Sequence, residues 1–267
     1  SGATLDPVAA VRFARGEQVT SASGQPVRLS RPLDWVAVTD HSDAMGTVAA
    51  IREGNPEMMR DPTLKRWHDM MNAGLEEGSK ATFELVAAQS NKKLPAALTD
   101  PKWAKTFWEH NTAIMEQYNQ PGRFTAFIAY EWTSNAGGGD NLHRNVIYRD
   151  DKKLADQVLP MTTFASENPE DLWKWMAATE EKTGVEILAL AHNGNLSNGR
   201  MFPIIESFTG RRIDREYAEN RVRWEPLYEA TQIKGDGETH PFLSPNDEFA
   251  NFERWDKGNL DLTEVKK

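Results

Sequence analysis

The 267-residue chain carries 31 Lys and Arg against 40 Asp and Glu, a formal charge of −9, which excludes the basic footprint that holds long nucleic acids by their backbone. Cysteine is absent, so disulfides, thiolate metal sites and a Cys nucleophile are excluded. No apolar run approaches the roughly 18 residues of a membrane span, and with 39% hydrophobic residues and nine Trp the chain is expected to form a single domain over residues 1–267.

The first residues, Ser1-Gly2-Ala3-Thr4-Leu5-Asp6-Pro7, make neither a basic nor an apolar targeting segment. The chain therefore reads as the middle of a longer one, and periplasmic, secreted and cytoplasmic locations all stay open. Short apolar runs rich in Val, Ile and aromatics predict buried strands over residues 35–39, 124–130, 145–148, 186–191 and 227–233. After the first of these, residues 56–95 predict a helical insertion, with Met58, Met59, Trp67, Met70 and Met71 supplying apolar contacts. Residues 101–119 predict a helix with Trp103, Phe107, Ile114 and Tyr118 near one face, ended by Pro121-Gly122. Ala136-Gly137-Gly138-Gly139 predicts a mobile loop and no phosphate cradle, because no Gly-Lys-Ser/Thr follows it. A further helix starts at Glu167 or Asn168 before Pro169, carries Leu172, Trp173 and Met176, and stops at Gly184. Residues 207–225, dense in Arg and Glu, predict a solvated helix. Strands alternating with helices give an α/β architecture with a mainly parallel sheet, open or closed into a barrel.

Chemistry gathers at the predicted strand ends. His41 follows one strand, Glu131 another and His192 a third; in α/β sheets and barrels ligands collect at the carboxyl ends of strands, so these groups should converge. His143, twelve residues after Glu131 and at the start of the next strand, returns to that carboxylate if the chain turns back like a hairpin. Imidazole and carboxylate together suit zinc, iron or manganese, and a bridging Glu among several His holds two or more such ions. The plainer readings are a structural ion pair for Glu131, a turn cap for Asp40 and hydrogen-bonded loop positions for the histidines. His68 and His110 fall inside predicted helices and read as packing or surface residues, while His240, past the last strand, is either a substrate-side residue or a turn element. Arg144, Arg200 and Lys234 adjoin these segments and could hold an anionic substrate or form surface ion pairs. No Gly-x-Ser-x-Gly elbow is present.

Taken in order, Thr39-Asp40-His41 after a strand, Glu131, His143 and Ala191-His192-Asn193 resemble successive motifs of the PHP (polymerase and histidinol phosphatase) superfamily, with Asn193 where a proline is usual. Arg12-Phe13-Ala14-Arg15-Gly16-Glu17, Asn141-Leu142-His143-Arg144-Asn145, Glu238-Thr239-His240-Pro241 and Ser244-Pro245-Asn246-Asp247-Glu248-Phe249 resemble, more narrowly, the bacterial domain-of-unknown-function family 3604. The resemblance implies a distorted (βα)7 barrel, of which this chain is expected to be an incomplete central portion, with two or three divalent ions (Zn, Mn or Fe). It implies that Glu131 bridges two ions, that His143 and His192 complete one, and that His41 binds another with Asp40 in support. Water between the ions would attack a phosphoester of a small anionic substrate, with Arg144 or Lys234 steadying its charge. The superfamily's opening His-x-His and closing Asp-x-His have no counterpart here, and the expectation is that they lie outside the chain. Hydrolysis of a C–N or carboxylic ester bond, and a non-catalytic binding module that has lost the outer ligands, are the alternative readings.

Overall fold

The computed structural model describes residues 5–192, 194–229, 231–232, 235–236, 241, 244–252 and 256–265. The elements that position the site are, in chain order, α1 (Pro7–Ala14), β1 (Trp35–Ala37), α2 (Thr47–Arg52), α3 (Pro62–Asn72), α4 (Leu75–Ser90), α5 (Pro101–Tyr118), β2 (Thr125–Phe127), β3 (Ala129–Trp132), β4 (Arg144–Tyr148), α6 (Pro169–Thr183), β5 (Ile187–Ala191), α7 (Arg215–Trp224) and β6 (Leu227–Tyr228). One local signal starts four of the helices: Asp6, Asp61, Asp100 and Asn168 each cap free backbone N–H groups, and each is followed by a proline whose missing N–H costs nothing at that position. Gly184 ends α6 in the left-handed conformation that favours glycine.

Trp35 of β1 lies opposite Thr125 of β2 in a parallel pair, and the same register runs on to a parallel bridge between His41 and Glu131. Glu131 N–H donates to Asp40 O, and Ser42 N–H to Glu131 O, both at 2.8 Å. β3 then pairs antiparallel with β4, β4 antiparallel with β5, and β5 parallel with β6. The mainly parallel sheet expected from the sequence is thus corrected to a mixed one. The short connection from Trp132 to Arg144 turns the chain straight back, which only an antiparallel pair allows. Among the described residues the architecture is mixed α/β, and the strands form no closed barrel. Because β4 alone runs against its neighbours, its first residues share one end of the sheet with the last residues of β3, β5 and β6.

Alternation along the strands turns Tyr130, Trp132, Val146, Tyr148, Ile187 and Ala189 into a core covered by α5 and α6. The buried stripe of α5 is Trp108, Thr112, Ile114 and Met115, which shares Ile114 with the face expected but is otherwise rotated from it, because α5 serves two cores. Trp103 and Phe107 instead pack on a second cluster of Ile51, Met58, Leu64, Trp67, Ala81, Leu85 and Leu98, and Phe107 touches both. The helical insertion therefore has its own core, edged by Met59, Met70 and Met71. Residues 207–225 do not form one helix: Ile205 bridges Arg212 across a turn with Gly210 at φ +73°, and only α7 is helical. Ala136–Gly139 forms a closed turn, with Gly137 and Gly138 left-handed and bridges from Asn135 to Asn141 and from Ala136 to Asp140. No described helix is long and apolar enough to cross a membrane.

Candidate metal centre

Three imidazoles surround the Glu131 carboxylate at the shared end of the sheet. His143 Nδ1 lies 2.6 Å from Oε1, His41 Nδ1 3.4 Å from Oε2 and His192 Nε2 3.7 Å from Oε1. One ligand atom from each of His41, Glu131 and His143 lies within 4.8 Å of the other two, a spacing that could hold a metal ion. The sheet creates this convergence: His41 and Glu131 are partners in the parallel bridge, while His192 N–H donates to His143 O (3.1 Å) one step beyond the β4–β5 ladder. Glu131 and His143 are buried, whereas the His41 side chain is 60% exposed, so the cluster opens to solvent on the His41 side.

His143 and His192 each have the nitrogen that turns away from Glu131 held by a neighbouring oxygen, whereas His41 meets Thr133 through Nδ1, the same nitrogen that lies toward Glu131. Thr133 Oγ1 donates its single hydrogen to Glu131 O (3.0 Å), so its 2.8 Å contact with His41 Nδ1 is one in which the ring donates. That leaves His41 Nε2 as the free lone pair. His192 Nδ1 lies 2.9 Å from Glu229 Oε2, which leaves Nε2 toward Glu131. Asn135 Nδ2 donates to Ser90 Oγ, so its Oδ1 accepts from His143 Nε2 at 2.7 Å. Burial draws His143 below the ordinary histidine value, and the adjacent carboxylate opposes that shift. Both nitrogens of His143 thus face acceptor oxygens at hydrogen-bond distance, so Nδ1 meets Glu131 Oε1 either as an N–H donor or, once that proton leaves, through a shared cation. Burial opposes the charge on Glu131, but the facing imidazoles, His143 foremost, outweigh it and hold the carboxyl at about 2. Imidazoles oriented by outer hydrogen bonds around a carboxylate are the usual construction of a metal site, so the donor set fits a divalent ion.

A family described as "Protein of unknown function (DUF3604)" matches the chain over residues 1–267. The chain belongs to the DUF3604 family. No curated protein and no solved structure matches it.

The other expected site residues of this DUF3604 chain are placed differently. Asp40, one residue before His41, turns to α5, where Asn111 Nδ2 donates to its Oδ2 at 2.9 Å. Burial raises its pKa, partly countered by that bond. Arg144 is corrected from a substrate-facing cation to a structural one. Its side chain is 1% exposed, its Nε donates to Glu225 Oε1 at 2.9 Å, and a further N–H donates to Leu142 O. The reason is strand alternation: one residue after His143, Arg144 falls on the face covered by α6, where Trp173 Nε1 and Arg221 also donate to Glu225. Arg200 pairs with Asp140 at 2.9 Å beside the glycine turn. Lys234 and His240 lie outside the described residues. His68 sits in α3 and His110 in α5, apart from the cluster.

Thr133, Asn135 and Glu229 escaped the sequence reading. Thr133 was the most accessible of them, two residues after Glu131 and therefore on the same side of an extended strand. Asn135 depends on the glycine turn and Glu229 on the pairing of β5 with β6, neither of which a motif announces.

Proposed function

We propose that this DUF3604 chain carries the centre of a metal-dependent hydrolase that acts on phosphoesters of small anionic molecules, in a distorted (βα)7 barrel of the PHP type. The observation that carries this reading is the set of three imidazoles around one buried carboxylate, two of which, His143 and His192, are oriented by a hydrogen bond through the opposite ring nitrogen. A divalent ion bound there would supply an acidified water and a Lewis acid for a phosphoryl oxygen.

The chain's own residues supply the remainder. Glu131 contributes a fixed negative charge that can be shared between ions, since its two oxygens face different histidines, Oε2 toward His41 and Oε1 toward His143 and His192. His143 forms the closed inner wall, and His41 forms the solvent side by which a substrate reaches the centre. The helical insertion touches the centre through Ser90, which orients Asn135 and through it His143.

The test is turnover by metal-stripped protein reloaded with Zn, Mn or Fe against phosphomonoesters, phosphodiesters, carboxylic esters and amides. Phosphate release that depends on metal and disappears in His192→Ala supports the reading. Metal-dependent cleavage of acyl substrates alone would move the assignment to C–N or ester hydrolysis, and full turnover by His192→Ala would refute the proposed centre.

A further inference from the structure

We propose that Glu229 is a positioning residue of the metal centre, which fixes His192 as the Nδ1–H tautomer and strengthens its Nε2 as a donor. The inference rests on the metal-centre reading above and deepens it. β5 and β6 pair in parallel with Ala191 opposite Tyr228, and the same register places the next residues, His192 and Glu229, side by side. Glu229 N–H continues toward Ala191 O at 3.4 Å, so the backbone carries the carboxylate to the ring. Glu229 Oε2 then lies 2.9 Å from His192 Nδ1, while Nε2 of the same ring points to Glu131 Oε1.

The outer partners of the three imidazoles differ in charge. His41 is held by the Thr133 hydroxyl and His143 by the Asn135 amide, both neutral, whereas His192 is held by a carboxylate. A ring N–H donated to an anion pushes electron density toward the opposite nitrogen and fixes the angle of the ring. His192 is also partly exposed and follows the end of a strand, so without this bond it would be free to rotate away from Glu131. Glu229 thereby supplies both orientation and basicity at the one imidazole of the three whose outer partner is an anion.

The experiment compares wild type, Glu229→Gln and Glu229→Ala in the full chain, reading zinc and manganese affinity by chelator competition and the histidine tautomers of the metal-free protein by ring 15N shifts. Glu229→Ala is expected to weaken affinity by about 10–100-fold and to lose the Nδ1–H tautomer of His192. Glu229→Gln keeps an oxygen for that N–H and is expected to lose less and to keep the tautomer. Unchanged affinity in Glu229→Ala, or His192 resting as the Nε2–H tautomer in wild type, would overturn the proposal. So would equal losses in both variants accompanied by a lowered unfolding temperature without metal, the mark of a merely structural carboxylate. A wild-type chain that takes up no metal while His192 keeps the expected tautomer would overturn the metal-centre reading itself, and this inference with it.

Discussion

His143 Nδ1 lies 2.6 Å from Glu131 Oε1, with both side chains buried and the opposite ring nitrogen already committed to Asn135. Removing that commitment frees the ring to turn. Asn135→Ala is expected to lower zinc affinity by about 10–100-fold, as loss of an outer hydrogen bond at a metal site does. Chelator competition on the folded variant measures it.

The Arg144–Glu225 pair is a structural element under this account. Arg144→Ala leaves Glu225 buried against Arg221 and Trp173 without its principal counter-charge, and breaking such a pair costs about 3–5 kcal/mol. Replacing both partners, Arg144→Met with Glu225→Leu, is expected to restore only part of that stability, because Arg221 and Trp173 Nε1 then lose the carboxylate they donate to. Urea unfolding of the two singles and the double tests the ordering.

Acidification should weaken the tie between α3 and α4. Glu84 accepts from Arg66 and from Trp67 Nε1 (2.9 Å), and these bonds, Arg66 first, lower its carboxyl from 4.5 to about 2. A depressed carboxyl contributes stability that is complete above its unfolded value and is lost as the pH falls from 4.5 toward 2. The pair is exposed, so solvent screening keeps the contribution small. Trp67 fluorescence across that window should shift in wild type and stay flatter in Glu84→Gln.

The glycine turn offers a paired comparison. Gly137 and Gly138 are both left-handed, at φ +67° and +87°, so alanine at either meets backbone strain of about 1–2 kcal/mol. At Gly137 the added Cβ would also lie 2.8 Å from Arg200 Nη1 and 3.1 Å from Asp140 Oδ2, whereas at Gly138 it meets nothing within 4 Å. Thermal unfolding should therefore fall further in Gly137→Ala than in Gly138→Ala.

Much of the centre was legible because strand ends announce themselves. Val38-Thr39-Asp40-His41 and Leu190-Ala191-His192 each read as an apolar run stopped by a polar group, and the structure brings His41 and His192 to the same glutamate. The helix starts at Asp100-Pro101 and Asn168-Pro169 were legible, since the cap and the proline act locally. Strand direction was legible only at the hairpin-like return toward Glu131; the antiparallel pairing of β4 with β5 was not, because it joins two distant segments. The return at residues 132–144 made β4 antiparallel, and that reversal both delivered His143 to Glu131 and turned Arg144 away from the site. The rotation of α5 was hidden for a similar reason: Trp103 and Phe107 are apolar and periodic, but they serve the insertion's core while Trp108 serves the sheet's.

The most direct test of the central claim is metal counted per polypeptide, by elemental analysis of the stripped chain after equilibration with zinc or manganese, beside Glu131→Ala. The account predicts one or more ions retained by wild type and loss of that metal in Glu131→Ala with the fold preserved. A wild-type chain that retains no ion, or a Glu131→Ala chain that retains as much as wild type, would contradict it.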